Sequence, residues 1–88
     1  MTQTVVITGA SAGIGRATAQ LYGKRGARVA LVARGQTGLD GAVSDVERAG
    51  GKALAVTTDV ADSDQVKEAS RRIEDAFGPI DVWINVAF

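Results

Sequence analysis

The 88-residue sequence has no cysteine and no histidine, a single proline, one tyrosine and one tryptophan, and its ten basic residues are matched by ten acidic ones. Without thiols there is no disulfide, no thiolate nucleophile and no cysteine zinc cluster; without imidazoles the commonest general base and the other usual zinc ligand are gone, so no metal site is read. There is no Lys/Arg block to form the concentrated basic face that neutralises nucleic-acid phosphates, and no nucleic-acid partner is expected. The opening Met1-Thr2-Gln3-Thr4 is uncharged and runs into a short apolar stretch. That is the pattern of neither a signal peptide nor a membrane span, so no membrane is expected and the cytoplasm is the expected compartment.

What the chain has in quantity is glycine, eleven residues in all. Three of them, Gly9, Gly13 and Gly15, fall in Val5-Val6-Ile7-Thr8-Gly9-Ala10-Ser11-Ala12-Gly13-Ile14-Gly15-Arg16, where a buried strand runs into a turn and straight on into a helix. Such a turn lets the backbone bend sharply and approach a ligand closely, while the helix start offers unpaired N–H groups and a positive dipole end that suit a diphosphate. Taken alone, the same glycines serve equally well to end a strand and start a helix.

Short apolar runs at Val5 to Thr8, Val29 to Ala33 and Leu54 to Thr57 suit parallel strands covered on both faces, and Asp81 to Phe88 reads as a fourth. Between the first two, Ile14 to Lys24 reads as a helix whose inner stripe is Ile14, Ala17, Thr18 and Leu21, closed by Gly26. In the second helix Leu39, Ala42, Val43, Val46 and Ala49 keep helical spacing as far as Gly50-Gly51, although Gly38 and Gly41 each weaken its first turn by about 1 kcal/mol. The third carries Val66, Ala69, Ser70, Ile73, Ala76 and Phe77 inward, with Asp62 and Gln65 as a capping pair and Gly78-Pro79 as its stop.

A β-α-β-α-β-α-β series with right-handed crossovers predicts one α/β domain over residues 1–88: a Rossmann-like, doubly wound parallel sheet, incomplete, of strand order 3-2-1-4 with helices on both faces. Its ligand crevice lies at the carboxyl ends of the strands, where the glycine turn, Ala33-Arg34, Asp59 and Asn85 all fall. Taken alone, Asp59 reads as a loop or cap residue.

With these features the chain resembles the short-chain dehydrogenase/reductase family of nicotinamide-dependent oxidoreductases. Its Thr-Gly-x-x-x-Gly-x-Gly motif is matched by Thr8, Gly9, Gly13, Ile14 and Gly15, and its Asp-Val after the third strand by Asp59-Val60. The resemblance implies that Gly9 permits the turn, that Ser11 and Ile14 border the cofactor's phosphates and ribose, that Gly15 lets helix and strand pack closely, and that Asp59 accepts a hydrogen bond from the adenine amino group.

Cofactor choice follows from charge. NAD-using enzymes end the second strand with an acidic residue that pairs with the ribose hydroxyls; here Ala33 stands there and is followed by Arg34, whose guanidinium suits a 2′-phosphate. NADP is therefore expected over NAD, with an ordinary surface arginine as the other reading of Arg34. Ala12 holds a loop position that is often basic in NADP-using relatives. Arg16 is a second cation near the phosphates, explained as simply by solvent exposure.

Two departures stand out. The family's Asn-Asn-Ala-Gly is here Asn85-Val86-Ala87-Phe88, which keeps Asn85 to tie neighbouring backbone but sets a bulky side chain where glycine is expected. The family's catalytic serine and Tyr-x-x-x-Lys pair are missing, since Tyr22, the one tyrosine, is followed four residues on by Gly26 and reads as core or rim packing. No catalytic residue is assigned. The chain reads as the cofactor-binding front portion of an oxidoreductase whose complete form acts on a small alcohol or carbonyl substrate. The alternative is a stand-alone, non-enzymatic nucleotide-binding or interaction module. An uncharged fourth strand at the sheet edge further predicts self-association through Val82 to Phe88.

Overall fold

The computed structural model describes residues 2–11 and 13–86. The readings placed on Ala12, Ala87 and Phe88 lie outside the described residues. Among the described residues seven elements alternate: β1 (Thr4–Thr8), α1 (Gly13–Lys24), β2 (Arg28–Ala33), α2 (Leu39–Ala49), β3 (Lys52–Thr57), α3 (Ser63–Phe77) and β4 (Val82–Asn85). The strands are all parallel, in the order β3-β2-β1-β4. This is the Rossmann-like arrangement expected from the sequence.

Alternation along each strand divides the core. Val5, Ile7, Val29 and Leu31 face α1 and α2, where they meet Ala19, Leu39, Ala42 and Val46; Val6, Ala30, Val32 and Val56 face α3 and meet Ala69 and Ile73. Each fully buried Leu, Ile or Val stabilises the fold by about 1.5–3 kcal/mol relative to exposure. Among the described residues no helix is long and apolar enough to cross a membrane.

All four strands differ in extent from their apolar runs, β1 and β2 by one residue at the start, β3 and β4 by more. β3 begins at Lys52, because Lys52 and Ala53 pair with Arg28 and Val29 although Lys52 is exposed. β4 is shorter, since Asp81 stands before it and docks on Thr4: the Thr4 N–H donates to Asp81 Oδ2 at 2.8 Å, and the Asp81 N–H donates to the Thr4 carbonyl at 2.9 Å. Thr4 Oγ1 donates to the Phe77 carbonyl at 3.1 Å, which satisfies the buried hydroxyl.

The first helix turns a different face inward from the one its large apolar residues predict. Ile14 and Leu21 are 69% and 60% exposed, Ala17 is exposed, and the buried line is Gly15, Ala19 and Gly23. Close approach is the reason. A Cβ on residue 15 would stand 2.1 Å from the Gly9 carbonyl oxygen, and one on residue 23 would stand 3.0 Å from that of Val46. Only a stripe of small residues lets the α1 backbone lie that near the β1 turn and α2.

At α2 the two glycines that weaken the first turn are also contact points. Gly38 caps the helix at φ 85 and would push a Cβ to within 2.7 Å of the Ser11 carbonyl oxygen; a Cβ on Gly41 would lie 2.9 Å from both terminal nitrogens of Arg16. In α3 the contact line runs through Ala69, Ile73 and half-buried Phe77, while Ala76 is exposed, because one helix on a sheet touches it along a single i, i+4 line. Asp62 caps it by accepting the N–H groups of Asp64 and Gln65.

The glycines of the turn should therefore respond unequally to alanine. At Gly13, with φ 59 and open space around it, the expected loss is the left-handed strain of about 1–2 kcal/mol. At Gly15 the added methyl meets backbone, and a loss of about 3 kcal/mol, the top of the usual overpacking range, is expected. Urea unfolding of the two variants checks the order; equal losses would refute the close-approach account.

Candidate functional site

Because the strands are parallel, their carboxyl ends meet at one sheet edge, and a cleft of about 530 Å³ opens there. Thr8, Gly9 and Ser11 supply one wall from the β1 turn; Ala33, Arg34, Gly35 and Thr37 come from the β2–α2 loop; Thr58, Asp59, Val60 and Ala61 follow β3; and Val86 follows β4. The cleft thus gathers Gly9, Ser11, Arg34, Asp59 and Val60 of the residues singled out in the sequence. Gly13, Ile14, Gly15 and Asn85 do not line it.

The turn has the tightest geometry. Gly9 takes φ 70, and a Cβ there would lie 2.8 Å from the Val86 carbonyl oxygen. The Gly9 N–H donates to the Val32 carbonyl at 2.9 Å, and the Ala10 N–H shares that acceptor at 3.3 Å. Donors for an anion are therefore not spread over the whole bend: two face β2, and those left come from Ser11 and the first turn of α1, whose N–H groups lack intrahelical partners.

Arg34 is exposed at the mouth and pairs with no carboxylate among the described residues. Its loop is braced against α2 by Gln36, whose side-chain nitrogen donates to Asp40 Oδ1 at 2.8 Å. Asp59 is held on both sides: its N–H donates to Gln65 Oε1 at 2.9 Å, and its Oδ1 accepts the Ala61 N–H at 3.0 Å. Gln65 therefore reaches past its own helix cap, which its Nε2 contacts through Asp62 Oδ2 at 3.3 Å, to order the Asp59 turn.

Asn85 ties side chains rather than backbone. Its Oδ1 accepts from Thr8 Oγ1 at 3.1 Å and from Trp83 Nε1 at 2.9 Å, which joins the ends of β1 and β4 beside the cleft. Tyr22 is half-buried against the core, with the Arg25 guanidinium 5.4 Å from its ring centre. Arg16 is neither a free surface cation nor a lining residue. Its Nε donates to Asp45 Oδ2 at 2.6 Å, and Gln20 Nε2 donates to the same oxygen at 2.8 Å. The hydrogen bond from Arg16, then that from Gln20, holds the Asp45 carboxyl below the usual carboxylate range.

Sequence reading passed over Gly35, Thr37, Thr58, Ala61 and Val86 as lining residues. Their common signal is position, since each ends a strand or lies within four residues after one.

The family profile described as short chain dehydrogenase matches residues 3–87. The chain belongs to the short chain dehydrogenase family. A short chain dehydrogenase of Pseudocercospora fijiensis is 36% identical over 85 residues, covering 97% of this chain and 28% of that protein. The crystal structure of a short chain dehydrogenase from Mycobacterium thermoresistibile superposes with a TM-score of 0.91 at 37% identity, over 97% of this chain and 33% of that one. A xylitol dehydrogenase solved with NAD+ bound gives a TM-score of 0.88 at 28% identity, over 92% of this chain and 31% of that one. The chain thus spans about a third of the length of these short chain dehydrogenases, which as a family are oxidoreductases that bind a nicotinamide dinucleotide.

The Arg16–Asp45 pair sets a pH dependence. Asp45 titrates lower folded than unfolded, so its contribution to stability is complete above the unfolded carboxylate value of about 4 and is lost as pH falls through the lower folded value. Thermal melts of the native chain and Asp45→Asn should stay separated by a constant interval from about pH 7 to about pH 5 and converge toward about pH 3. A gap that does not close in acid would show that the charge of Asp45 is not what stabilises.

Proposed function

We propose that this chain is the NADP(H)-binding portion of a short chain dehydrogenase/reductase whose complete form transfers hydride between the nicotinamide and an alcohol or carbonyl substrate. The observation that carries the reading is the exposed cation at the cleft mouth: β2 ends in Ala33 rather than an acid, and Arg34 follows it, paired with no carboxylate among the described residues, on a loop braced from α2. The cleft suits a dinucleotide by its donors and its shape. Backbone N–H groups of Ser11 and the first turn of α1 would take the diphosphate, and the glycine approaches keep side chains out of its way. Asp59, ordered by Gln65 and Ala61, would receive the adenine, with exposed Val60 beside it. Ile14 would border the ribose, and Asn85 would steady the β1 and β4 ends below it. When bound, the dinucleotide supplies or accepts the hydride.

This chain carries no Tyr-x-x-x-Lys pair, and Tyr22 is packed against the core away from the cleft, so the chain binds without turning over substrate. Titration with both dinucleotides tests the reading. NADP+ should bind more tightly than NAD+, and Arg34→Ala should weaken NADP+ about tenfold to a hundredfold, the value of charge-assisted hydrogen bonds to a phosphate, while changing NAD+ little. Tighter NAD+ binding, or an Arg34→Ala variant with undiminished NADP+ affinity, would overturn it.

We further propose that this chain pairs with a second copy along β4. Val82, Trp83, Ile84 and Asn85 carry no charge, and among the described residues β4 pairs with β1 on one side, which leaves its other row of backbone groups for pairing. Sedimentation should show a dimer that Trp83→Lys dissociates, because a charge on an edge strand opposes pairing. A tight monomer of the native chain at all concentrations would contradict it.

A further inference from the structure

We infer that Arg16 is a positioning residue for recognition of the 2′-phosphate, acting at a distance through Asp45. The inference rests on the proposed NADP reading and adds to it a residue that lines no part of the cleft. The two ends of the ligand would be held by different helices. Diphosphate donors belong to Ser11 and α1, which are fixed to the sheet by the approach of Gly15 to Gly9. Arg34 belongs to the loop that feeds α2, to which it is bound by the Gln36–Asp40 hydrogen bond and by the Leu39 N–H donating to the Gln36 carbonyl at 3.0 Å. Whatever sets α2 against α1 therefore sets the distance between the two recognition points.

Two contacts do this at the first turns of the helices. Gly38, the cap of α2, lies on the Ser11 backbone closely enough that a Cβ would come within 2.7 Å of its carbonyl oxygen. One turn on, the Arg16 guanidinium passes under Gly41, where a Cβ would lie 2.9 Å from both terminal nitrogens, and its Nε reaches Asp45 at 2.6 Å. The planar fork fits beneath a bare Cα and leaves its Nε for the carboxylate; an ammonium on a flexible stem does not reproduce that geometry. Gln20 donates to the same Asp45 oxygen from the next turn of α1, so α2 is held at successive levels. Gly41, which lowers helix propensity in a first turn, leaves the room for this passage.

The test separates positioning from general stability by reading two ligands. In the full chain, Arg16→Met and Asp45→Asn should each weaken NADP+ about five- to tenfold while NAD+ changes by no more than about twofold, and the double variant should be no worse than the poorer single, as for residues acting through one contact. Arg16→Lys, which keeps the charge and folds if Arg16→Met does not, should show the same selectivity loss. Equal losses for both dinucleotides, additive losses, or an unchanged NADP+/NAD+ ratio in these variants would overturn the inference while leaving the cofactor reading intact. A native chain that binds neither dinucleotide would instead remove the cofactor reading, and this inference with it.

Discussion

The contact between Gly15 and the Gly9 carbonyl governs how the rest is arranged. With a Cβ placed 2.1 Å from that oxygen, no other residue fits, and the absence of side chains there brings the start of α1 down onto the end of β1. From this approach follow the buried small-residue line through Ala19 and Gly23 and the nearness of α2 to α1. The partial positive charge of a helix start has value to an anion only within the first turn.

A second arrangement depends on the first. Val32 receives the N–H groups of Gly9 and Ala10, which locks the turn to β2 and spends two donors that a reading of the loop alone would assign to a ligand. Gly9 and Ala10 are thereby tied to β2 before anything binds, and preorganisation of that kind lowers the ordering entropy that a loose glycine segment would lose on binding. Polar groups at the other strand ends follow the same rule. Asp59 is held by Gln65 and Ala61, and Thr8 by Asn85.

Sequence periodicity carried the fold because β1 and β2 are covered on both faces and the helix stops are glycines: element order and the α2 span follow from it, and right-handed crossovers give the strand order. It misled at α1, where hydrophobicity marks Ile14 and Leu21 as inner residues but steric access chooses Gly15, Ala19 and Gly23. Apolar pattern measures what gains from burial; it does not register how close two backbones must come. The same blindness makes Gly38 and Gly41 look like defects of a helix start when each accommodates a neighbour. Among the cleft residues, those in strand-to-helix motifs were legible, whereas Thr37 and Val86 line it through chain geometry and carry no chemical signature. The partner of Arg16 was invisible because Asp45 lies 29 residues away and meets it only when α1 and α2 are packed.

Stability and recognition are divided across the sheet. Every β1 residue is buried, and so are the four central residues of β2, whereas β4 alternates between half-buried and exposed. The turn, the Arg34 loop and the Asp59 turn hang from β1, β2 and β3, on the side where α1 and α2 cover one face and α3 the other. That edge therefore draws its support from β1 and β2 and asks little of β4, which contributes the Asn85 hydrogen bonds and is followed by Val86, whose carbonyl lies under Gly9. Disturbance at the β4 edge would reach the cleft through those few contacts, while disturbance between α1 and α2 would reach it through both walls at once.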